Sequence, residues 1–218
     1  MRPGDPPPEI PPPTVPGQPE RPAHPDPTVP PQIPAVPLVD PEPPDDPVRH
    51  LLADRRLLLM GPLDRVTADH VCAELMHADG LAADPVELII NSPGGPTEAV
   101  IGMLDVIGLL RAPLATRCVG GAVGTATLVL ASGTAGRSIG ANATISLRLA
   151  GDHRLDGSAD AIVSGAGAIA DAVDRLARHV ARVSHLTVEE AAAALRDGGH
   201  LSASDAVAVG LADEVTGR

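Results

Sequence analysis

Val86-Glu87-Leu88-Ile89-Ile90-Asn91-Ser92-Pro93-Gly94-Gly95 is an apolar run that ends in a proline-glycine-glycine turn. A short apolar stretch bounded by turn residues reads as a buried strand, and paired glycines after it let the backbone turn tightly against a neighbouring segment. Pro96 then opens a helix, because its fixed φ suits the first helical position. Val100, Met103, Leu104 and Ile107 repeat along one face of that helix, and Ala115 to Val119 returns as a second strand. Working upstream, Leu57 to Met60 is another short apolar run, and Thr67 opens a helix that carries Val71, Cys72, Leu75 and Met76. Strand and helix alternate, which is α/β order.

Downstream, a strand is expected from Thr144 to Leu149, and a long amphipathic helix from about Ser158 to Ser184. Ile162, Ile169, Val173, Leu176, Val180 and Val183 form one apolar stripe on that helix, which needs a partner. Gly165 and Gly167 soften its first half, each costing about 1 kcal/mol relative to alanine. Thr187 with Glu190, and Ser202 with Asp205, have the spacing of capping pairs and open two short final helices.

Composition divides the chain near residue 50. Twenty of the 25 prolines fall between Pro3 and Pro47, interleaved with acids such as Asp5, Glu9, Glu20 and Asp45. Residues 1–49 therefore read as a disordered Pro-rich acidic tail that acts mainly as a solvating spacer, and residues 50–218 as one folded domain. The chain contains no Phe, Tyr, Trp or Lys. No Walker-A or Schiff-base lysine is available, nor any aromatic platform for stacking bases, and the net charge of −12 opposes binding to nucleic acid or anionic membranes. Two cysteines make no disulfide framework, and Cys118 sits in an apolar run where a buried thiol is expected. No basic-then-apolar leader and no run of about 18 apolar residues is present, so the reading is a soluble cytoplasmic protein. His70 with His77, and His179 with His185, lack metal-ligand spacing, and no metal or cofactor is called for.

Asn91-Ser92-Pro93-Gly94-Gly95, then Cys118-Val119-Gly120-Gly121-Ala122, then Leu201-Ser202-Ala203 and Gly210-Leu211-Ala212-Asp213-Glu214-Val215 follow in an order and spacing that resembles the ClpP family, the proteolytic subunits of ATP-dependent Clp proteases. The resemblance runs from about Leu57 to Val215. It implies a ClpP/crotonase-type fold of stacked βαβ units, with the long helix as a handle joining two rings. It further implies a Ser-His-Asp triad inside the ring chamber and a Clp-type ATPase docked outside.

Transferred residue by residue, the resemblance places Gly124 at the position of the nucleophilic serine. The position of the histidine falls on Arg148 if one residue is deleted before Asn142, or on Leu149 otherwise, and that of the aspartate on Gly198. Glycine has no nucleophile, and an arginine that stays protonated cannot take a proton from a hydroxyl. Thr125, His153 and Asp197 are neighbouring substitutes. Thr125 would point about 100° away from its neighbour on a helix, His153 lies in a polar loop, and Asp197 has no imidazole to orient. Gly95 and the amide of Thr125 stand where the family forms its oxyanion hole. They are either a remnant able to bind a peptide carbonyl or, for the glycines, a requirement of the tight turn. Glu87 and Ile89 replace the aromatic residues typical of the ATPase-docking strand.

The reading is a triad-less, ClpR-like ring subunit that assembles alone or with an active ClpP paralogue, with a Clp-type ATPase as a further partner. The alternative is an enzyme, either a serine-type peptidase with a displaced nucleophile or a crotonase-like acyl-transfer catalyst working through the oxyanion amides alone.

Overall fold

The computed structural model describes residues 51–149 and 157–217, so the proline-rich segment and His153 lie outside the described residues. The chain order is β1 (Arg56–Met60), α1 (Arg65–Leu81), β2 (Val86–Ser92), α2 (Thr97–Leu109), β3 (Leu114–Val123), α3 (Thr125–Ala131), β4 (Arg137–Gly140), β5 (Thr144–Ser146), α4 (Ala159–Val183), α5 (Val188–Asp197), β6 (His200–Leu201), α6 (Ala203–Ala208) and β7 (Glu214–Thr216). The α/β expectation holds. One strand is shorter than expected: β5 stops at Ser146 rather than Leu149. There the Arg148 N–H reaches back to Ser146 Oγ and the Leu149 N–H bonds the Leu195 carbonyl, so neither amide pairs in a ladder.

The sheet runs β1-β2-β3-β4-β7, all parallel, as consecutive βα units require. β3 serves two neighbours in succession. Thr116 to Cys118 pair with Arg137 to Ile139 of β4, and Gly121 to Val123 pair with Thr144 to Ser146 of β5. β5 in turn pairs antiparallel with β6, which sets Ser146 opposite His200. The switch of partner along β3 carries its carboxyl end, and the loop after β5, into one place.

With no aromatic residue, the core is built from branched aliphatics. Leu57, Leu59, Leu88, Ile90, Leu114, Ile139 and Ile145 are fully or almost fully buried from the sheet, with Leu128 and Leu130 from α3 and Cys118 between them. Burial alternates along β1 and β2, so one sheet face is covered by helices and the other is partly open. On that open face Glu87 lies between Arg56 at 3.1 Å and Arg117 at 2.7 Å, an ion cluster across three strands.

Helix ends follow the capping chemistry expected of them. Thr187 and Glu190 form a reciprocal capping box, Ser202 caps α6 through the Asp205 amide, and Ser158 caps α4 through the Ala161 amide. The stripe on α4 divides into two halves. Leu176 and Val180 are buried against the domain and Val173 and Val183 pack partly on it, whereas Ile162 is 41% exposed.

Candidate functional site

Open α/β sheets present their crevice at the carboxyl ends of the strands. Here β2 ends in the Pro93-Gly94-Gly95 turn and β3 ends at Gly124, and a cleft of about 330 Å³ lies between them. Gly95, Gly124, Thr125, Arg148, Leu149 and Gly198, all singled out in the sequence, line this cleft, whereas Asp197 does not. Residues far apart in the chain are therefore gathered at one site.

The turn from β3 into α3 is a sharp elbow. Gly124 has φ 56° and ψ −120°, a conformation that L side chains rarely adopt, and it leads directly into the first helical residue. A strand-elbow-helix of this kind is the geometry that holds a nucleophile in many hydrolases, with the next residue's amide facing the reacting oxygen. The backbone frame of such a site is present, without a side chain on it. A Cβ at Gly124 would meet the Arg148 carbonyl oxygen at 3.0 Å, so the space a nucleophile's stem would use is closely approached by backbone. The elbow is pinned from behind: the Gly124 N–H donates to the Ser146 carbonyl at 2.7 Å, and the buried Thr127 hydroxyl donates to the carbonyls of Ala122 and Ser146, both at 2.7 Å.

Thr125 is 1% exposed and its hydroxyl is fully engaged. It accepts the Gly95 N–H at 2.8 Å and donates to the Gly95 carbonyl at 3.1 Å. Its own amide, as the first of α3, has no carbonyl partner within the helix. Gly95 cannot carry a side chain here, because a Cβ would run into the backbone carbonyl of Leu63. The close approach of two backbones therefore accounts for this glycine whether or not the amide binds anything.

Arg148 is exposed on the cleft rim, and its guanidinium can only donate. Gly198 caps the end of α5, with its N–H on the Ala194 carbonyl. Sequence reasoning passed over two cleft residues, Ser146 and His200. Ser146 is buried and its Oγ accepts the Arg148 N–H at 3.3 Å, while His200 is exposed and stands opposite it on β6. Neither has a sequence signal: β5 buries Ile145 and Ser146 in succession rather than alternately, and its antiparallel partner is a strand of only two residues. Among the described residues, no hydroxyl of the cleft is hydrogen-bonded to an imidazole.

A Ser-His contact does exist elsewhere, where Ser132 Oγ lies 2.8 Å from His179 Nε2. Arg182 donates to His179 Nδ1 at 2.8 Å, so the ring proton sits on Nε2 and is donated to Ser132, whose own proton goes to the Leu128 carbonyl at 2.7 Å. The imidazole is a donor to the hydroxyl and cannot serve as its base in this arrangement. Burial, with the Arg182 charge beside it, holds the His179 pKa below its ordinary value. Burial also pushes the Cys118 thiol up to about 11, which makes it inert.

The model of the family described as Clp protease matches residues 42–218. The chain belongs to the Clp protease family. Among curated relatives, it is 31% identical over 180 residues to an ATP-dependent Clp protease proteolytic subunit 2 from Streptomyces avermitilis, covering 79% of this chain and 88% of that one. It is 34% identical over 159 residues to subunit 4 from Rhodococcus jostii, covering 65% and 81% respectively. A putative proteolytic subunit-like protein from Streptomyces coelicolor is 38% identical over 93 residues, which span 42% of this chain and 44% of that relative. The fold matches the crystal structure of the ClpP protease catalytic domain from Plasmodium falciparum with a TM-score of 0.69 at 22% identity, over 78% of this chain and 90% of that one. The ClpP-type fold inferred from the sequence motifs is therefore correct. Among the described residues of this Clp-family chain, no helix is long and apolar enough to cross a membrane.

Proposed function

We propose that this chain is a non-catalytic subunit of a Clp-type assembly, shaping a ring with an active paralogue rather than cutting peptides itself. The observation that carries this reading is the elbow at Gly124, where the backbone of a nucleophile site is kept and the nucleophile is absent. Arg148 and Gly198, which line the same cleft, supply neither a base nor an orienting carboxylate. Thr125 as a displaced nucleophile is disfavoured, because both hydrogen-bonding roles of its hydroxyl are taken up by Gly95. The relatives are named as proteolytic subunits, which supports a place in an oligomer.

Assembly rests on α4. Its first half leaves Ile162 and Val163 at 41% and 72% exposure, an apolar surface suited to the same helix of a facing protomer. On the open sheet face, Glu87 between two arginines disfavours the docking of an apolar loop, so a Clp-type ATPase would be engaged through the paralogue's surface. Residues 1–49 serve as a spacer, and the cytoplasm is the compartment.

The test is to purify the tagged protein from its own cells, identify its partners and treat the assembly with a fluorophosphonate. The expected result is co-purification with a serine-bearing Clp paralogue, with label on the paralogue alone. Label on this chain, or a monomeric mass both alone and mixed with that paralogue, overturns the proposal.

A further inference from the structure

We infer that Thr125 is a built-in occupant of the oxyanion position, so that the cleft is closed to acyl oxygens and peptide carbonyls even if a nucleophile were supplied. An elbow site stabilises the oxygen of an acyl group with two amides, that of the residue after the elbow and one from a nearby loop. Here the first is Thr125 N–H, and the loop that reaches the elbow is Pro93 to Gly95. The Gly95 N–H, the loop amide that points at residue 125, is already donated to Thr125 Oγ1 at 2.8 Å. The same hydroxyl returns its proton to the Gly95 carbonyl at 3.1 Å, so it bridges both polar groups of one peptide position.

The arrangement is rigid. Thr125 is 1% exposed, and Gly95 is wedged against the Leu63 backbone, so neither partner can swing aside without moving the turn. An incoming oxygen would have to displace a hydroxyl that satisfies a donor and an acceptor together, leaving the buried hydroxyl and the part-buried Gly95 carbonyl without partners. The Thr125 hydroxyl thus does internally what a substrate oxygen would do. This deepens the non-catalytic reading and rests on it. It also removes the basis for acyl transfer through the oxyanion amides alone, which needs both amides free.

Two measurements test the inference. The first is amide exchange at Gly95 in the full chain, followed by NMR. Thr125→Val keeps the shape and removes the hydroxyl, and should speed Gly95 exchange at least about fivefold, the factor expected for one lost hydrogen bond, while Thr125→Ser should restore protection. An unchanged Gly95 rate in Thr125→Val overturns the inference and leaves the proposed function intact. The second uses Gly124→Ser with Arg148→His, compared with the same variant carrying Thr125→Ala, which removes both the hydroxyl and the methyl from the Gly95 amide. In fluorophosphonate labelling the serine oxygen bonds phosphorus, fluoride leaves, and the serine proton passes to the introduced imidazole. Freeing the amide should raise the labelling rate by about 100-fold, the typical value of one oxyanion donor. Equal rates, zero included, overturn the inference. Labelling of the unaltered chain at Thr125 overturns both this inference and the non-catalytic reading, so the two failures are distinguishable.

Discussion

Placing a serine at Gly124 tests how far the site has closed. The elbow residue has φ 56° and ψ −120°, which costs an L residue about 1–3 kcal/mol where the surroundings hold it. The new Cβ would also sit 3.0 Å from the Arg148 carbonyl oxygen, so the segment after β5 must retreat by a few tenths of an ångström. That segment is tied down by the Leu149 N–H on the Leu195 carbonyl and by the Gly124 N–H on the Ser146 carbonyl, which keeps the strain from relaxing freely. Gly124→Ser should therefore be destabilised by about 1–3 kcal/mol, which for a domain of this size lowers Tm by roughly 2–12 °C. Gly124→Ala should behave alike, since the penalty lies in the Cβ. Calorimetry gives Tm, and a fluorogenic peptide assay run alongside should show no turnover, because a guanidinium such as that of Arg148 only donates and cannot accept the serine proton. A Tm within 1 °C of the parent would refute the claim that backbone occupies the nucleophile's space. Turnover by the single variant would refute the claim that no base is in reach.

Further outcomes follow from other parts of the structure. His179 is held neutral in the folded state with its pKa lowered, whereas in the unfolded chain it titrates at its ordinary value of 6.5, so the unfolded state takes up the proton first as pH falls. Stability from this group is complete above that value and is lost progressively below it; Tm should drop between pH 7.5 and 5.5, and His179→Asn should flatten that part of the profile. The Arg182 charge and the Ser132 hydroxyl are the groups that face it, and Arg182→Ala should make the drop smaller, because removing the repulsion brings the folded-state pKa back toward its ordinary value. Leu176→Ala, at a 2% exposed position of α4, should cost about 2–5 kcal/mol by denaturant melt. Arg137→Ala should cost at least about 2 kcal/mol, because one guanidinium ties Asp213 to the carbonyls of Val183 and Gly210; Arg137→Lys should not restore it, as a lysine lacks the fork. Ile169→Asp on the exposed half of α4 should reduce the assembled mass in light scattering while leaving Tm within a few degrees, and an unchanged mass would show that this half is not a contact surface.

The alternation of strands and helices, the glycine turn after β2 and the capping pairs could be read from the sequence because each depends on neighbours a few residues apart. Helical period, strand period, glycine's freedom and the Thr187–Glu190 reciprocal cap are local physics. The absence of a side chain at residue 124 was equally plain, since it is a matter of residue identity at a register set by flanking motifs. Tertiary structure decided what fills the cleft. That the Arg148 carbonyl approaches Gly124 depends on β3 changing partners from β4 to β5, and that Thr125 turns its hydroxyl to Gly95 depends on two turns meeting across thirty residues. The pairing of Glu87 with arginines on both adjacent strands, and of Ser146 with His200 through a two-residue strand, likewise requires register between segments far apart. A hydrogen bond's direction is set by where the partner's backbone lies, and no propensity of threonine distinguishes a hydroxyl that faces a chamber from one that seals an amide.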